Sequence, residues 1–190
     1  DNTVMTAEQM KAVADAVKAL AAPATVDFSE VVYESETFPN SFKSNANLAG
    51  IVFPQNVTKT ASAAFQKTGM TSVTLLKGIS YGSNAFDSCA SLVSVTVEEG
   101  VTEIGNYMFQ NTKLTDVTLP NSVTKIGASA FNGCSLTTIN FGQGVKTIEN
   151  SAFQNCGELT EIILPDATET LGQNALSLIH ISEPTRLRRI

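Results

Sequence analysis

The 190-residue sequence is poor in the side chains that most often carry catalysis or bind nucleic acid. It contains no tryptophan, a single histidine (His180) and only three arginines, all of which follow residue 185. Residues 1–175 hold nine lysines and seventeen acidic residues, a formal charge of 9 − 17 = −8. An acidic chain without arginine over this length cannot easily neutralise phosphates, so nucleic acid is a poor candidate partner.

The scarcity of histidine and cysteine argues against the commonest catalytic and metal sites. Apart from His180 there is no imidazole to activate a Ser or Cys nucleophile, and the three cysteines form no Cys-x-x-Cys pair for zinc. Glu98 and Glu99 lie at a predicted turn, where solvation is expected rather than a glycosidase carboxylate pair. With Glu103 they lack the regular pattern of a calcium loop. We therefore expect a protein that is not an enzyme and uses no metal or cofactor.

Long apolar runs are also missing. No stretch approaches the ~18 apolar residues that a membrane-spanning helix needs, so no membrane span is expected within the chain. Hydrophobic residues nevertheless make up 43% of the sequence and charged residues only 16%. That composition allows one domain with a continuous core.

The sequence does contain an internal repeat, which is anchored on phenylalanine. The spacings between successive anchors are 23, 21, 23, 22 and 22 residues. Each anchor is followed by a small or polar residue at the third position, a large apolar residue at the fifth or sixth, and an alternating apolar pair. A turn and a second apolar pair then lead to the next anchor. The anchors are Phe42, Phe65, Phe86, Phe109, Phe131 and Phe153.

This pattern predicts stacked parallel strands. Alternation with a period of two places the apolar pair on one face of a strand, and such a strand becomes stable only against its neighbours. Six strands at ~4.8 Å each would form a sheet about 29 Å across. Each anchor phenylalanine is expected to enter the core under a short helical or irregular turn, so that the six rings form a column.

The repeated unit A-F-x-x-C-x-x-L-x-x-V-x-L-P-x-x-V-x-x-I-G is best preserved in residues 130–149 and 114–127. It resembles the BspA-like leucine-rich repeat, found in surface proteins of host-associated bacteria and some protists. The resemblance covers about residues 42–175. The chain departs from the pattern at Thr60 and Thr168, which replace apolar residues, and around residues 79–81, where one residue is missing.

The resemblance implies a repeat solenoid: a leucine-rich-repeat arc with a parallel β-sheet of about six strands, short or helical turns opposite, and an N-terminal α-helix. It also implies a secreted or cell-surface, non-catalytic module that binds host extracellular matrix proteins or proteins of partner cells. No catalytic or sharp ligand-binding motif transfers from the family. The alternative is a passive spacer or accessory domain of a larger surface protein or enzyme.

Residues 1–40 are interpreted as an N-terminal helix and degenerate cap for the repeats of residues 41–175. Thr6 and Gln9 fit a capping box. An amphipathic helix is predicted at about 7–21, with Pro23 ending it. The apolar stripe of this helix is formed by Met10, Val13, Val17 and Leu20. After the helix, Val26 and Phe28 are predicted to form a degenerate first strand. A linker helix to an upstream domain is the alternative role.

The outward strand positions are the candidate partner-binding site. They form a flat face that is rich in hydroxyl groups and low in charge, a type of surface that solenoids use for partners. Threonine also simply suits a solvated strand. The candidate residues are Ser72, Thr74, Ser94, Thr96, Asp116, Thr118, Thr138, Asn140 and Glu161.

The cysteines occupy a repeat position rather than a motif of their own. Cys89, Cys134 and Cys156 each lie three residues after an anchor phenylalanine, where a buried small residue is expected. Cys134 and Cys156 lie on consecutive turns, at a separation that permits a disulfide, whereas Cys89 is two turns from Cys134. Whether Cys134 and Cys156 pair stays open.

The last fifteen residues are set apart from the repeats. Residues 176–186 read LSLIHISEPTR, which matches the forward translation of adaptor DNA used in transposon-based sequencing libraries. We therefore expect residues 176–190 to be a non-native tail and exclude them from functional reasoning.

Overall fold

A computed structural model describes residues 4–177 and 188–189. In this part of the chain one helix, α1 (Ala7–Lys18), precedes about seven turns of a parallel-strand solenoid. The strands in chain order are β1 (Val4–Met5), β2 (Ala24–Asp27), β3 (Val32–Tyr33), β4 (Thr37–Phe38), β5 (Leu48–Val52), β6 (Lys59–Thr60), β7 (Ser72–Leu75), β8 (Ser94–Val97), β9 (Glu103–Ile104), β10 (Asp116–Thr118), β11 (Lys125–Ile126), β12 (Thr138–Asn140), β13 (Thr147–Ile148), β14 (Ile163–Leu164), β15 (Thr170–Leu171) and β16 (Arg188–Arg189).

The alternating apolar pairs build the first side of the solenoid, and the prediction of parallel strands there is confirmed. Its strands pair as β2 with β5, β7 with β8, β10 with β12, and β14 with β16. Among the described residues the ladder is interrupted between β5 and β7, between β8 and β10, and between β12 and β14. In β7 with β8 and in β10 with β12, equivalent repeat positions face each other, for example Val73 and Val95.

The expected short turns are present around the anchors, and a second parallel sheet that was not predicted lies beside them. The second apolar pair of each repeat forms two-residue strands there, and β9, β11, β13 and β15 make one four-stranded parallel sheet. The cause is burial, since Ile104, Ile126 and Ile148 point into the core while their strand neighbours are exposed or half-buried. β4 pairs with β6, which continues through a single bridge from Lys59 to Ser80.

The anchor phenylalanines form the predicted column, with one change at its N-terminal end. From Phe65 to Phe153 the rings of successive turns stack with centroids 5.3 to 5.7 Å apart and interplanar angles of 5° to 18°. Phe42 does not stack directly on Phe65, because Phe38 lies between them at 5.9 Å and 5.6 Å, respectively. Phe38 ends β4, before the first anchor, where no repeat pattern marks it.

From Phe65 to Phe153, the turn around each anchor contains two left-handed residues. They lie two positions before and two positions after the phenylalanine, as Ala63 and Lys67 do around Phe65, with φ of 58° and 59°. Left-handed backbone is unfavourable for most side chains, so this conformation is imposed by the stacked turns. Backbone hydrogen bonds link each such turn to the next, for example from Phe65 N–H to Ala85 O at 2.9 Å.

The N-terminal helix covers the first turn, and its predicted capping box is present. Thr6 Oγ1 accepts from Gln9 N–H at 3.3 Å, and Gln9 Oε1 accepts from Thr6 N–H at 2.9 Å. The helix ends at Lys18 rather than at about residue 21. At this end the first repeat supplies a hydrogen-bond donor: Asn47 Nδ2 donates to Lys18 O, the last carbonyl group of the helix, and to Leu20 O just beyond it. Leu20 is consequently exposed, although it was predicted to belong to the apolar stripe.

The predicted degenerate first strand is present as β2, which pairs with β5.

At the other end of the chain, Ala175 and Leu176 occupy the positions that Ala152 and Phe153 hold one turn earlier, and Phe153 N–H donates to Ala175 O. Arg188 and Arg189 pair with Ile163 and Leu164. Residues 178–187 lie outside the described residues, so the assignment of 176–190 as a non-native tail stays a prediction.

Candidate functional site

The nine candidate residues are all exposed on the first side of the solenoid. Eight of them face each other in register across paired strands: Ser72 with Ser94, Thr74 with Thr96, Asp116 with Thr138, and Thr118 with Asn140. The ninth, Glu161, lies just before β14. We call this surface the hydroxyl face. The strands bring the nine residues together as two rows that run along the solenoid.

The charges on the hydroxyl face are few and of one sign. From β2 to β14 the charged side chains at outward strand positions are those of Asp27 and Asp116, and Glu161 continues their side of the solenoid. The Asp27 carboxylate accepts from Ser29 N–H at 2.8 Å, and hydrogen bonds from the Ser29 backbone and side chain lower the pKa of Asp27. The carboxylate therefore stays ionised below the ordinary aspartate range, and the face is acidic at neutral pH.

An apolar cleft opens in this face where the ladder is interrupted between β5 and β7. It has a volume of about 400 Å³, and we call it the β5–β7 cleft. Its walls are mainly hydrophobic, and two of the candidate residues, Ser72 and Thr74, belong to its lining. The other lining residues are Thr25, Ala49, Gly50, Ile51, Val52, Phe53, Met70, Val73, Leu76 and Phe86.

A second opening lies on the opposite side of the solenoid, between Ser80 and β9. Its volume is about 260 Å³, and Tyr81, Thr102 and Glu103 are among its lining residues. One turn further on, Gly127 N–H donates to Ile104 O at 2.8 Å. The described structure contains no such bond from the equivalent Gly105 N–H to Tyr81 O, so the second ladder is interrupted here.

Both openings flank the one turn that is a residue short. Val73 precedes Tyr81 by eight positions, whereas Val95 precedes Ile104 by nine. The short turn pairs with β8 on the first side and with Lys59 on the second. It is therefore paired with the later turn on the first side and with the earlier turn on the second side, and one opening lies along each of its two unpaired edges.

The Tyr81 hydroxyl provides a hydrogen-bond acceptor for a backbone N–H group beside the β5–β7 cleft. In the next turn, Glu98 N–H donates to Leu75 O of the preceding turn at 3.1 Å. The equivalent donor in the short turn, Leu76 N–H, donates to the Tyr81 hydroxyl instead, at 3.1 Å. Burial is the main cause that raises the pKa of Tyr81 to about 12, so the phenol stays protonated. The open β5–β7 cleft thus leaves this backbone donor satisfied.

The cysteines are structural in this fold. All three are buried free thiols, so Cys134 and Cys156 do not form a disulfide in this structure. Each thiol donates to the carbonyl oxygen of the anchor phenylalanine one turn earlier, at 3.0 to 3.1 Å. Burial is the largest cause that raises the pKa of Cys134 to about 11 and that of Cys156 to about 12. Protonated thiols held in this way are poor nucleophiles.

Metal and membrane sites were also sought in the described part of the chain. Residues 4–177 and 188–189 contain no group of three or more His, Cys, Asp or Glu side chains placed to hold a metal ion. In the same residues no helix is long and apolar enough to cross a bilayer.

The repeat seen in the structure matches a known family model. The model of the BspA type leucine-rich repeat region matches residues 25–81 and 79–187, with six copies. The chain belongs to this family. Leucine-rich repeats of this kind are typically non-catalytic and generally mediate protein binding. No curated protein sequence matches the chain significantly.

Solved structures of bacterial leucine-rich repeat proteins are similar to this chain. A leucine-rich repeat protein of Eubacterium ventriosum aligns with a TM-score of 0.63 and 22% identity, over 82% of this chain and 46% of that one. A leucine-rich cell surface protein of Faecalibacterium prausnitzii aligns with a TM-score of 0.48 and 23% identity, over 77% of this chain and 49% of that one. The chain thus spans about half the length of these proteins, and the first alignment supports the fold.

Sequence reasoning located the hydroxyl face but missed the β5–β7 cleft within it. Two of the cleft residues, Ser72 and Thr74, are candidates, whereas Ile51, Phe53 and Val73 belong to the alternating apolar pairs that are predicted to enter the core. The signal that points to the cleft is the 21-residue spacing from Phe65 to Phe86, together with Tyr81 at a position where other turns carry isoleucine or threonine.

Proposed function

We propose that this family member is a protein-binding module of a bacterial cell surface, and that the hydroxyl face contacts the partner. One observation carries the proposal: nine outward residues from five turns lie exposed on one side of a solenoid whose family generally binds proteins. Host extracellular matrix proteins and surface proteins of other cells are the proposed partner class. We also propose a secreted or surface location, which the same family membership supports.

The chemistry of the face supports a polar, specific contact. Hydroxyl groups donate and accept hydrogen bonds with little cost in conformational freedom, because a strand already restricts a threonine side chain. Neighbouring hydroxyls occupy consecutive turns, so Thr74, Thr96 and Thr118 form a continuous row. A partner can therefore make repeated contacts at the ~4.8 Å spacing of the strands.

The test is binding of the 190-residue chain to a panel of immobilised, purified host matrix proteins, measured by surface plasmon resonance. The double variant Thr96→Arg with Thr118→Arg places two bulky cations on the hydroxyl face. We expect it to reduce the affinity for a partner from the panel at least tenfold.

The matched control is the double variant Thr102→Arg with Thr124→Arg. These two threonines are also exposed and lie in consecutive turns, but on the opposite side of the solenoid. We expect this control to bind like the parent chain. Equal losses in both variants would show that the effect is one of charge rather than of surface, and no binding to any matrix protein would favour the passive spacer.

A further inference from the structure

We propose that the β5–β7 cleft is an anchor pocket that takes one large apolar side chain from an extended, basic segment of a partner protein. The proposal deepens the proposed function, on which it rests, because it names the feature of the partner that the hydroxyl face selects. A second opening on this face, of about 260 Å³, lies between β12 and β14, and the β5–β7 cleft, at about 400 Å³, is the larger of these two.

The walls of the cleft fit an aliphatic or aromatic side chain. Ile51, Phe53 and Val73 are only partly buried, although they pack against the core. A volume of about 400 Å³ falls within the ~300–1,000 Å³ of ordinary ligand pockets. Val52 at its edge is 42% exposed. A side chain that filled the cleft would remove all four residues from water, and burial of apolar area of this kind dominates binding hot spots.

The backbone around the cleft favours an extended partner segment. β7 pairs with β8 and β5 pairs with β2, so each strand has an edge that faces the cleft without a partner strand. Unpaired strand edges accept extended peptides, while alternate side chains of the peptide enter pockets. The hydroxyls of Thr25, Ser72 and Thr74 belong to the same lining and offer further hydrogen bonds.

The charges near the cleft select basic residues beside the anchor. Asp27 faces Val52 in register on the adjoining strand, and hydrogen bonds from Ser29 favour its ionised form. Asp116 lies on the other side, two strands beyond β7 along the hydroxyl face. Because these charges at outward strand positions are acidic, lysine or arginine on either side of the apolar residue complements the surface.

The cleft lies beside the turn that is one residue short between Val73 and Tyr81. There the Tyr81 hydroxyl accepts a hydrogen bond from Leu76 N–H at 3.1 Å, in place of a carbonyl group across the gap. Because the Leu76 N–H already has a partner, an apolar side chain can enter the cleft without leaving this donor unpaired.

The probe is the peptide acetyl-Lys-Thr-Phe-Thr-Lys-amide, titrated into the ¹⁵N-labelled 190-residue chain and followed by amide chemical shifts. Its matched control peptide carries Ala in place of Phe. We expect shift changes centred on residues 51–53 and 70–74, and at least tenfold weaker binding of the Ala peptide. Raising the salt concentration is expected to weaken binding of the Phe peptide.

Two variants separate the cleft from the rest of the surface. Thr74→Trp places an indole at the cleft, whereas Thr124→Trp makes the same change at an exposed threonine on the opposite side of the solenoid. We expect at least tenfold weaker peptide binding in the first variant and less than a twofold change in the second. Both threonines are exposed, and an unchanged amide spectrum elsewhere reports that each variant is folded.

The outcomes distinguish failure of this inference from failure of the proposed function. Equal binding of the Phe and Ala peptides, shifts outside the cleft, or no binding at millimolar peptide would overturn the anchor pocket. A matrix protein that loses affinity with the Thr96→Arg and Thr118→Arg pair but not with Thr74→Trp would retain the binding face and reject the pocket. Loss of affinity with Thr74→Trp alone would support the pocket.

Discussion

The residue three positions after each anchor phenylalanine shows that burial can be predicted from the sequence, whereas hydrogen-bond partners cannot. The sequence predicts a small buried residue there, and all six are buried: Asn45, Thr68, Cys89, Thr112, Cys134 and Cys156. The sequence does not predict their hydrogen bonds. Thr112 Oγ1 donates to Phe109 O of its own turn at 2.8 Å, and Cys134 Sγ donates to the same oxygen from the next turn at 3.0 Å. Which turn supplies the donor depends on the stacking, which no local pattern contains.

The buried thiols predict a loss of stability at alkaline pH. An unfolded thiol releases its proton near pH 9, whereas burial retains it to about 11 at Cys134 and about 12 at Cys156. Above pH 9 the unfolded chain therefore binds fewer protons than the folded chain, and the free energy of unfolding falls as the pH rises from 9 towards 12. Below pH 9 the thiols contribute no pH dependence. Urea unfolding at pH 8 and pH 10.5 measures the difference.

The control for this prediction is the double variant Cys134→Thr with Cys156→Thr. Threonine occupies the same repeat position at Thr68 and Thr112, so the fold should accept it. We expect the variant to lose clearly less stability than the parent chain between the two pH values. An identical loss in both proteins would mean that other groups, such as Tyr81, dominate the alkaline transition.

At the scale of single elements, the helix and the strands of the repeat were predictable, and the ends of the elements were not. The capping residues and the spacing of Met10, Val13 and Val17 identify α1, since both are local signals. Its early end depends on Asn47, which is distant in sequence and takes the last carbonyl groups. The second sheet was missed because two apolar residues per turn are too few to show a strand period.

The helix is expected to stabilise the first turns through its buried face. Met10 is fully buried, and Met10→Ala should lower the free energy of unfolding by about 2–5 kcal/mol. Lys11→Ala is the matched control, because Lys11 is exposed and its ion pair with Asp15 is a surface contact, worth about 0.3–0.5 kcal/mol at most. Chemical denaturation measures both values. Similar losses in the two variants would contradict the packing of α1 on the core.

At the scale of the whole molecule, the repeat spacing was sufficient to predict a solenoid, whereas the openings in it were not predicted. Side-chain periodicity specifies which residues enter the core, and the column from Phe65 to Phe153 follows from that alone. The separation of neighbouring turns depends on backbone hydrogen bonds and on the length of each turn. A loss of one residue near Tyr81 was visible in the sequence, but its effect on both ladders required the structure.

The phenylalanine column should transmit stability along the solenoid. In a repeat protein each turn is stabilised by its neighbours, and the Phe109 ring stacks on both Phe86 and Phe131. Phe109→Ala is expected to cost about 3–5 kcal/mol and to reduce amide protection in turns on both sides. Phe153→Ala should reduce protection mainly in the C-terminal turns. Hydrogen exchange of the two variants measures the pattern, and indistinguishable patterns would rule out propagation through the column.

The short turn has a consequence for how such a protein can change over generations. The turn that is one residue short keeps its anchor in the column, since Phe65 and Phe86 still stack at 5.3 Å, yet an opening lies on each side of this turn. Because all turns share one architecture, the loss of one residue in another repeat instead would move the opening along the solenoid by a fixed step. Variation in repeat length can thus diversify the binding surface of such a protein without any change in its core residues.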